Sequence, residues 1–523
     1  MMNEKIQQYI PKNTKAELHG NAAVFEVSAS EIATVVGDLR NHSHLALKLI
    51  TATDERKDRG CFKIWYILGV PKENVFIVPF IVLKNTNEFP SIVSVVHEAF
   101  EYEKKIRTFF GLTPTDHPDG RPTILHENWP VDVFPLRKDF IWNARPELAH
   151  GAYQFEEVKG DGIYEIPVGP IHAGIIEPGH FRFSVAGERI VLLEPRLGFV
   201  HKGTEKLFET LSLVEKVRLS EKVSGDSSFS HSLAFCQALE KLGNIVVPKR
   251  ALYLRVLYAE LERLANHFGD IGAIMIDTGF NFGGSHGARL REMIMRIHEG
   301  LTGSRFLRGV NVLGGVTKDI GDREKNTLSG NLAKIAKDFS EIIEIAENSV
   351  TLLNRLKETG TLSCEIAQDR GVMGVVGKAV GISSDARIDY PYAVYDEALI
   401  GEVAIEHDGD VRARFLVRVK EVHASVGIIQ NMLRRLPEGP VHASISDISF
   451  EKNSFAVSIV EGWRGEIVYF IATDKDGNIS RVVPRDPSCV NWPVIGDAGF
   501  DNVVPDFPLI NKSFNMSYSG NDL

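Results

Sequence analysis

Two long stretches of helical periodicity, Glu324–Leu356 and Asp410–Leu436, constrain this chain most. At about 1.5 Å per residue each is long enough to form the centre of a helical bundle. Shorter apolar-periodic segments, Thr204–Lys222, Ser230–Lys241, Lys249–Ala273 and Arg289–Gly300, supply neighbours for them. The same region opens with strand-like runs at Tyr164–Val168, Phe181–Val185 and Arg189–Leu193. Two more, Ser454–Val460 and Glu466–Thr473, lie near its end and are joined through Glu461–Gly465.

The preceding residues follow a different pattern. Cys61–Val70 and Val75–Leu83 are rich in β-branched and aromatic residues, and the turn-like Pro71–Asn74 between them predicts a strand pair. Pro90-Ser91 then opens an amphipathic run over Ile92–Phe110, with Val95, Ala99, Tyr102 and Ile106 at helical spacing. A Pro-rich exit through Pro130, Pro135 and Pro146 places the boundary near 140–155. The expected fold class is an α+β module over 1–145, then a mainly α-helical domain with small β-sheets over 155–523. That fits the two to four domains expected of 523 residues at roughly 100–200 each.

Composition excludes several functions. The net charge of −10 and the absence of a basic block argue against nucleic-acid binding. Four scattered cysteines (Cys61, Cys236, Cys364 and Cys489) form neither a disulfide scaffold nor paired CxxC metal motifs. Cys61 and Cys236 read as core thiols. The greasiest run, Val75–Leu83, is far shorter than the roughly 20 residues of a spanning helix, and the first residues lack the apolar centre of a signal peptide. The expectation is a soluble, intracellular chain able to sit on a membrane through partners. Phe282-Gly283-Gly284 and Gly314-Gly315 read as turns, because neither has the strand–GxGxxG–helix setting of a phosphate cradle.

Several motifs now carry a resemblance that spans nearly the whole chain. Phe89-Pro90-Ser91, Tyr102-Glu103, His117-Pro118-Asp119 and Pro135-Leu136-Arg137-Lys138-Asp139-Phe140 resemble the 30-kDa subunit of respiratory complex I. Gly169-Pro170-Ile171-His172, Ile176–Phe183, Gly198–Gly203, Glu260–His267 and Gly409–Arg414 resemble the complex I 49-kDa subunit. They resemble even more closely the large subunit of membrane-bound nickel–iron hydrogenases of the formate-hydrogenlyase type, a family in which both modules also occur fused.

That family holds its metals in two motifs, of the kinds RxCGxC and DPCxxC. Here the first reads Glu221-Lys222-Val223-Ser224-Gly225-Asp226-Ser227 and the second Asp486-Pro487-Ser488-Cys489-Val490-Asn491. Ser224, Ser227, Ser488 and Asn491 stand at the four cysteine positions, and Cys489 is one residue out of register. A nickel–iron centre needs soft, anionic thiolates, whereas serine hydroxyls and an asparagine amide are neutral, hard donors. The expectation is no metal and no other cofactor bound by this chain, with small polar groups leaving a cavity that water fills. Gly225 stands where the 49-kDa subunit has a quinone-contacting tyrosine, as in hydrogenases.

The resemblance also marks site residues. Glu177 matches the hydrogenase glutamate that passes protons away from the metal site, and a buried carboxylate there relays protons if its pKa is raised. Asp226 adds an acid inside the altered first motif, to share a proton with Glu177 if the two are close. His231 and Arg464 match residues near the family's active site, with Arg464 placed to pair with Asp226 or an anionic ligand. His172 and His180 lie in the loop of the quinone-contacting histidine. The structural alternatives are a carboxylate binding backbone amides, a plain ion pair and loop-packing histidines.

The resemblance thus implies a peripheral-arm subunit of a membrane-bound oxidoreductase, on the cytoplasmic side of the inner membrane. Its expected partners are a small iron–sulfur subunit like the complex I 20-kDa subunit, a ferredoxin-like iron–sulfur subunit, a quinone-channel-type membrane subunit and antiporter-like subunits. Iron–sulfur clusters belong to those partners, and this chain couples their electron transfer to proton or ion movement. The alternatives are a redox site for a quinone or sulfur compound, a scaffold without chemistry, and a hydrogenase with unusual ligands.

Overall fold

The computed structural model describes residues 4–12, 14–445 and 448–523. Five strands open it: β1 (Glu17–His19), β2 (Ala22–Glu26), β3 (Ala46–Asp54), β4 (Phe62–Val70) and β5 (Val75–Leu83), in the order β1-β2-β5-β4-β3. The expected pair β4–β5 is antiparallel, with Val70 opposite Val75, while β2 joins β5 in parallel. Every residue of β4 is buried. Ile64, Tyr66 and Leu68 face the core under helix α1 (Phe100–Phe110), and Trp65 and Ile67 face a second sheet. Burial on both faces is why the strand reads as an apolar run broken only by Lys63.

The helix expected from Ile92 begins only at Phe100. Val96 is extended, and the Glu103 carboxylate instead accepts hydrogen bonds from Ile92 N at 2.8 Å and Ser91 Oγ at 2.6 Å. This ties the preceding turn across the start of α1. Burial pushes the Glu103 carboxyl up to about 7.

A three-stranded antiparallel sheet, β6 (Ile163–Val168), β7 (His180–Ala186) and β8 (Arg189–Arg196), leads into the helices. The run expected as one helix from Thr204 divides into α2 (Thr204–Thr210) and α3 (Leu213–Ser220). Ser212 and Glu215 form a capping box that restarts the chain. Helices α4 (Ser228–Leu242), α5 (Lys249–Asp277), α6 (Asn281–Thr302), α7 (Asp322–Glu347), α8 (Val350–Leu356) and α9 (Val411–Arg435) follow. The long run from Glu324 is likewise broken, at Ser349, which caps α8.

Two further expectations are corrected. The centre of the bundle is α5, packed between α6 and α9, and not α7, which buries one stripe and leaves the rest exposed. Polar residues at buried positions of α5 disguised it. Phe282-Gly283-Gly284 lies inside α6 and is not a turn. A Cβ at Gly287 would stand 2.6 Å from the Cα of Gly272, so these small residues let α5 and α6 touch backbone to backbone. Gly314 does lie in a turn, with Leu313, between two short paired segments, the second of which starts at Gly315.

Strands β9 (Phe455–Gly462), β10 (Gly465–Thr473) and β11 (Ile479–Arg485) make an antiparallel meander. One face carries Phe455, Val457 and Phe470 against Trp65 and Ile67, so the two modules share a core, and α4 packs against the meander. Among the described residues no helix is long and apolar enough to cross a membrane.

Candidate functional site

Four segments converge between β10, α4 and the C-terminal residues: Val223–Ser228, Trp463–Gly465, Asp486–Asn491 and Asn515–Gly520. Arg464 sits on the tight turn from β9 to β10. Gly374 lets a neighbouring loop reach that turn: its φ is +61°, and a Cβ there would lie 1.8 Å from the Arg464 carbonyl oxygen.

Arg464 and Asp226 form a bidentate pair, with Nη1 donating to Oδ1 at 2.6 Å and Nη2 to Oδ2 at 2.7 Å. Arg464 Nε donates to the Asn515 carbonyl, and the guanidinium lies 3.9 Å from the centroid of the Trp463 ring. The Arg464 side chain is buried, while that of Asp226 keeps 34% exposure. Burial pushes the Asp226 carboxyl up, but the charge and hydrogen bonds of Arg464 outweigh it and hold the group below the usual carboxylate range.

Three of the four positions that the resemblance sets against metal ligands join this pair, and the fourth, Asn491, turns elsewhere. Ser224 Oγ lies 2.9 Å from Asp226 Oδ1, 2.8 Å from Ser517 Oγ and 3.4 Å from Arg464 Nη1. Ser227 Oγ lies 3.3 Å from Arg464 Nη1. Ser488 Oγ accepts from Ser517 N at 2.8 Å, so Ser517 bridges the two loops. Asn491 spends both ends of its amide on Met373, accepting from its N at 3.2 Å and donating to its O at 3.1 Å. In place of the expected water-filled void, direct hydrogen bonds tie Ser224, Ser227 and Ser488 into one network with Arg464 and Ser517. Neutral donors already engaged with protein partners, with a guanidinium among them, do not fit a centre built on bridging thiolates. Among the described residues no three His, Cys, Asp or Glu side chains are grouped to hold an ion.

The remaining candidates occupy different places. Glu177 Oε2 accepts from Ser519 N at 3.0 Å, and Ser519 Oγ lies 3.5 Å from Ser517 Oγ. Glu177 and Asp226 are thus connected through Ser519, Ser517 and Ser224 and do not share a proton directly. The step from Glu177 to Ser519 is a backbone amide, which relays no proton, so transfer there needs water or a rotamer change. His231 is fully buried, with Nε2 3.0 Å from Asp486 Oδ2 and Nδ1 3.2 Å from the Tyr469 hydroxyl. Burial raises the Asp486 carboxyl, but His231, the charge of Arg464 and a hydrogen bond from Ser488 together outweigh it and hold the group low. His172 Nε2 bonds within its own loop, to the Gly179 carbonyl at 2.7 Å. His180 packs on Phe155 with Nε2 unpartnered, and burial pushes its pKa down. Neither histidine joins the Arg464 network.

Sequence reasoning missed Ser517, Ser519, Asn515 and Asp486. Only Asp486 stood in one of the two altered motifs. It also missed Glu262, whose carboxylate accepts from Phe229 N at 2.7 Å and Ser230 N at 3.1 Å behind the first motif. Burial pushes Glu262 up to about 7.

Comparison with known proteins gives two family matches: the respiratory-chain NADH dehydrogenase 30 Kd subunit over residues 25–146, and the 49 Kd subunit over 277–522. The chain is 32% identical over 483 residues to formate hydrogenlyase subunit 5 of Escherichia coli (strain K12), covering 91% of this chain and 84% of that protein. It is 27% identical over 471 residues to an NADH-quinone oxidoreductase subunit of Phocaeicola vulgatus, covering 86% and 90%. Among solved structures, a chain of the membrane-bound sulfane sulfur reductase, an archaeal respiratory membrane complex, superposes with a TM-score of 0.65 at 25% identity. That match covers 69% of this chain and 99% of that one.

Proposed function

Because the chain belongs to the family of fused 30-kDa- and 49-kDa-type subunits shared by complex I and energy-converting hydrogenases, we infer that it is the coupling subunit of a membrane-bound oxidoreductase and carries no nickel–iron centre. One observation carries this reading: the bidentate Asp226–Arg464 pair, bonded to serines at ligand positions. The electron path runs through partner iron–sulfur subunits, one small and complex I 20-kDa-like, the other ferredoxin-like. The chain sits peripherally on the cytoplasmic side, against quinone-channel-type and antiporter-like membrane subunits.

In this reading the site answers a charge change nearby. An electron arriving on a neighbouring cluster adds negative charge, which favours proton uptake by the closest carboxylates. Asp226 is held ionised by Arg464 and is partly exposed, so it gains a proton only as the pair loosens. The serine chain supplies hydroxyls along which that proton can move as far as Ser519, with water or a rotamer change completing the step to Glu177. A second reading, in which Arg464 holds an anionic sulfur acceptor, draws on the similarity to a sulfane sulfur reductase complex.

Metal analysis of the purified complex tests the first element, and stoichiometric nickel would overturn it. Glu177→Gln and Arg464→Gln test the rest. Loss of proton movement with electron transfer retained supports coupling. Equal loss of both favours the acceptor site, and no change in either, with the complex assembled, leaves a scaffold.

A further inference from the structure

The loop that presents Ser488 to Ser517 turns Cys489 the other way. Cys489 lines a cavity of about 680 Å³ where the two modules meet, a volume within the range of small-molecule sites. Its walls are mostly apolar and come from both modules, with Ile50, Phe110 and Ile124 on one side and Leu193, Val483 and Trp492 on the other.

One wall carries a cation short of partners. The Arg485 side chain is 1% exposed, and Nη2 donates to the Glu466 carboxylate and carbonyl, each at 2.7 Å. Its Nε and Nη1 make no hydrogen bond of ordinary geometry. The Tyr102 hydroxyl stands beside them and itself donates to the Lys48 carbonyl at 3.3 Å. Glu466 also serves Lys48, at 2.6 Å, so Arg485 shares its one carboxylate with a second cation. Of the other lining cations, Lys105 and Arg481 share Glu205 in the same way, and Arg121 has Asp119 and Glu194. Glu98, on the same wall, has Oε2 unpartnered, and burial pushes its carboxyl up toward the neutral, hydrogen-bond-donating form. Unpaired buried N–H groups on a cation are costly, and an incoming oxyanion relieves that cost.

We propose that this cavity binds a small amphipathic organic anion, its apolar body held between the two modules and its carboxylate or phosphate group against Arg485. The inference does not depend on the coupling role, because the cavity and the Arg464 network lie on opposite sides of the Asp486–Asn491 loop.

Equilibrium dialysis of labelled octanoate against the purified complex tests it, with octyl phosphate and octanol as competitors. Saturable binding at one per chain is expected, displaced by octyl phosphate and not by octanol. The relative potency of octyl phosphate and unlabelled octanoate identifies the preferred head group. Arg485→Met should weaken binding at least tenfold, while Arg485→Lys retains most of it. Val191→Trp, at a half-buried position on the cavity wall, should abolish binding without touching the charge, and it decides the matter if Arg485→Met fails to fold. Equal uptake by wild type and Val191→Trp, or displacement by octanol as effective as by octyl phosphate, overturns the proposal.

Discussion

Two charge-bearing regions lie close together in this chain, and they are built on opposite rules. The Arg464 network is small: one cation, one carboxylate and hydroxyls, with Asp226 still a third exposed. Beneath it, α5, the short helical turns between α8 and α9, α9 itself and β9 bury Glu260, Arg263, His267, Lys378, Asp385, Arg387, Glu421 and Glu461, every side chain 4% exposed or less. Lys378 Nζ alone reaches Asp385 and Glu421 at 2.7 Å and Glu461 at 3.4 Å. With His267 pushed toward its neutral form by burial, three cations face four carboxylates, and the balance closes when Glu461, pushed up to about 7 by burial and then by Asp385, holds a proton. The deep cluster has no route to water and must be satisfied by its own members. The Arg464 network can be remade by water, which is what a site that changes charge state requires.

The largest effect should come from the deep cluster. Lys378→Met leaves three carboxylates short of a partner and should cost about 3–5 kcal/mol, the range for breaking a buried pair. Thermal unfolding of the variant, or its failure to accumulate, checks this. Adding Glu421→Gln should recover part of the loss, because it removes one of the stranded charges. A Lys378→Met chain as stable as wild type would erase the distinction between the two regions.

Arg464→Gln should behave differently. Water can reach Asp226, so the stability cost should be about 1–2 kcal/mol, between the values for exposed and buried pairs. The functional loss should be larger, with at least a tenfold fall in coupled turnover of an assembled complex. Asp226→Asn should match it, and the double variant should be no worse than either single one, since each removes the same pair. Additive losses would mean that the two residues act separately.

The contrast also explains what the sequence revealed. The strand pair β4–β5 was legible because burial on both faces made it apolar but for Lys63. The central helix α5 was harder to rank, since Arg255, Glu260, Glu262, Arg263 and His267 look like a solvated face until their partners from distant segments are known. Strand β11 was missed because Arg481, Pro484 and Arg485 interrupt its apolar pattern, and both arginines turn out to be buried in ion pairs. In the site, Ser224, Ser227 and Ser488 were legible from position within short motifs. Ser517, which joins them, lies 293 residues from Ser224 in a segment with no local signature.

The smallest effect concerns pH and again separates the regions. Glu262, behind the Arg464 network, titrates at about 7 when folded and near 4.3 when unfolded. Between those values the folded chain binds more protons, so this group makes stability fall as pH rises from about 4.5 to 7 and adds no slope above that. The slope is at most about 1.4 kcal/mol per pH unit for one group. Glu461 and Glu103 contribute with the same sign. Asp226 acts oppositely, because its lowered pKa gives stability that is lost as pH falls through the folded value. Glu262→Gln should therefore flatten the decline between pH 5 and 7 and leave the acid limb unchanged, whereas Asp226→Asn should soften only the acid limb. Denaturant unfolding measured across pH 4–8 checks both. If Glu262→Gln keeps the wild-type slope, the carboxyl is already ionised at pH 5, and the hydrogen bonds from Phe229, Ser230 and its hydroxyl outweigh the cost of burying its charge.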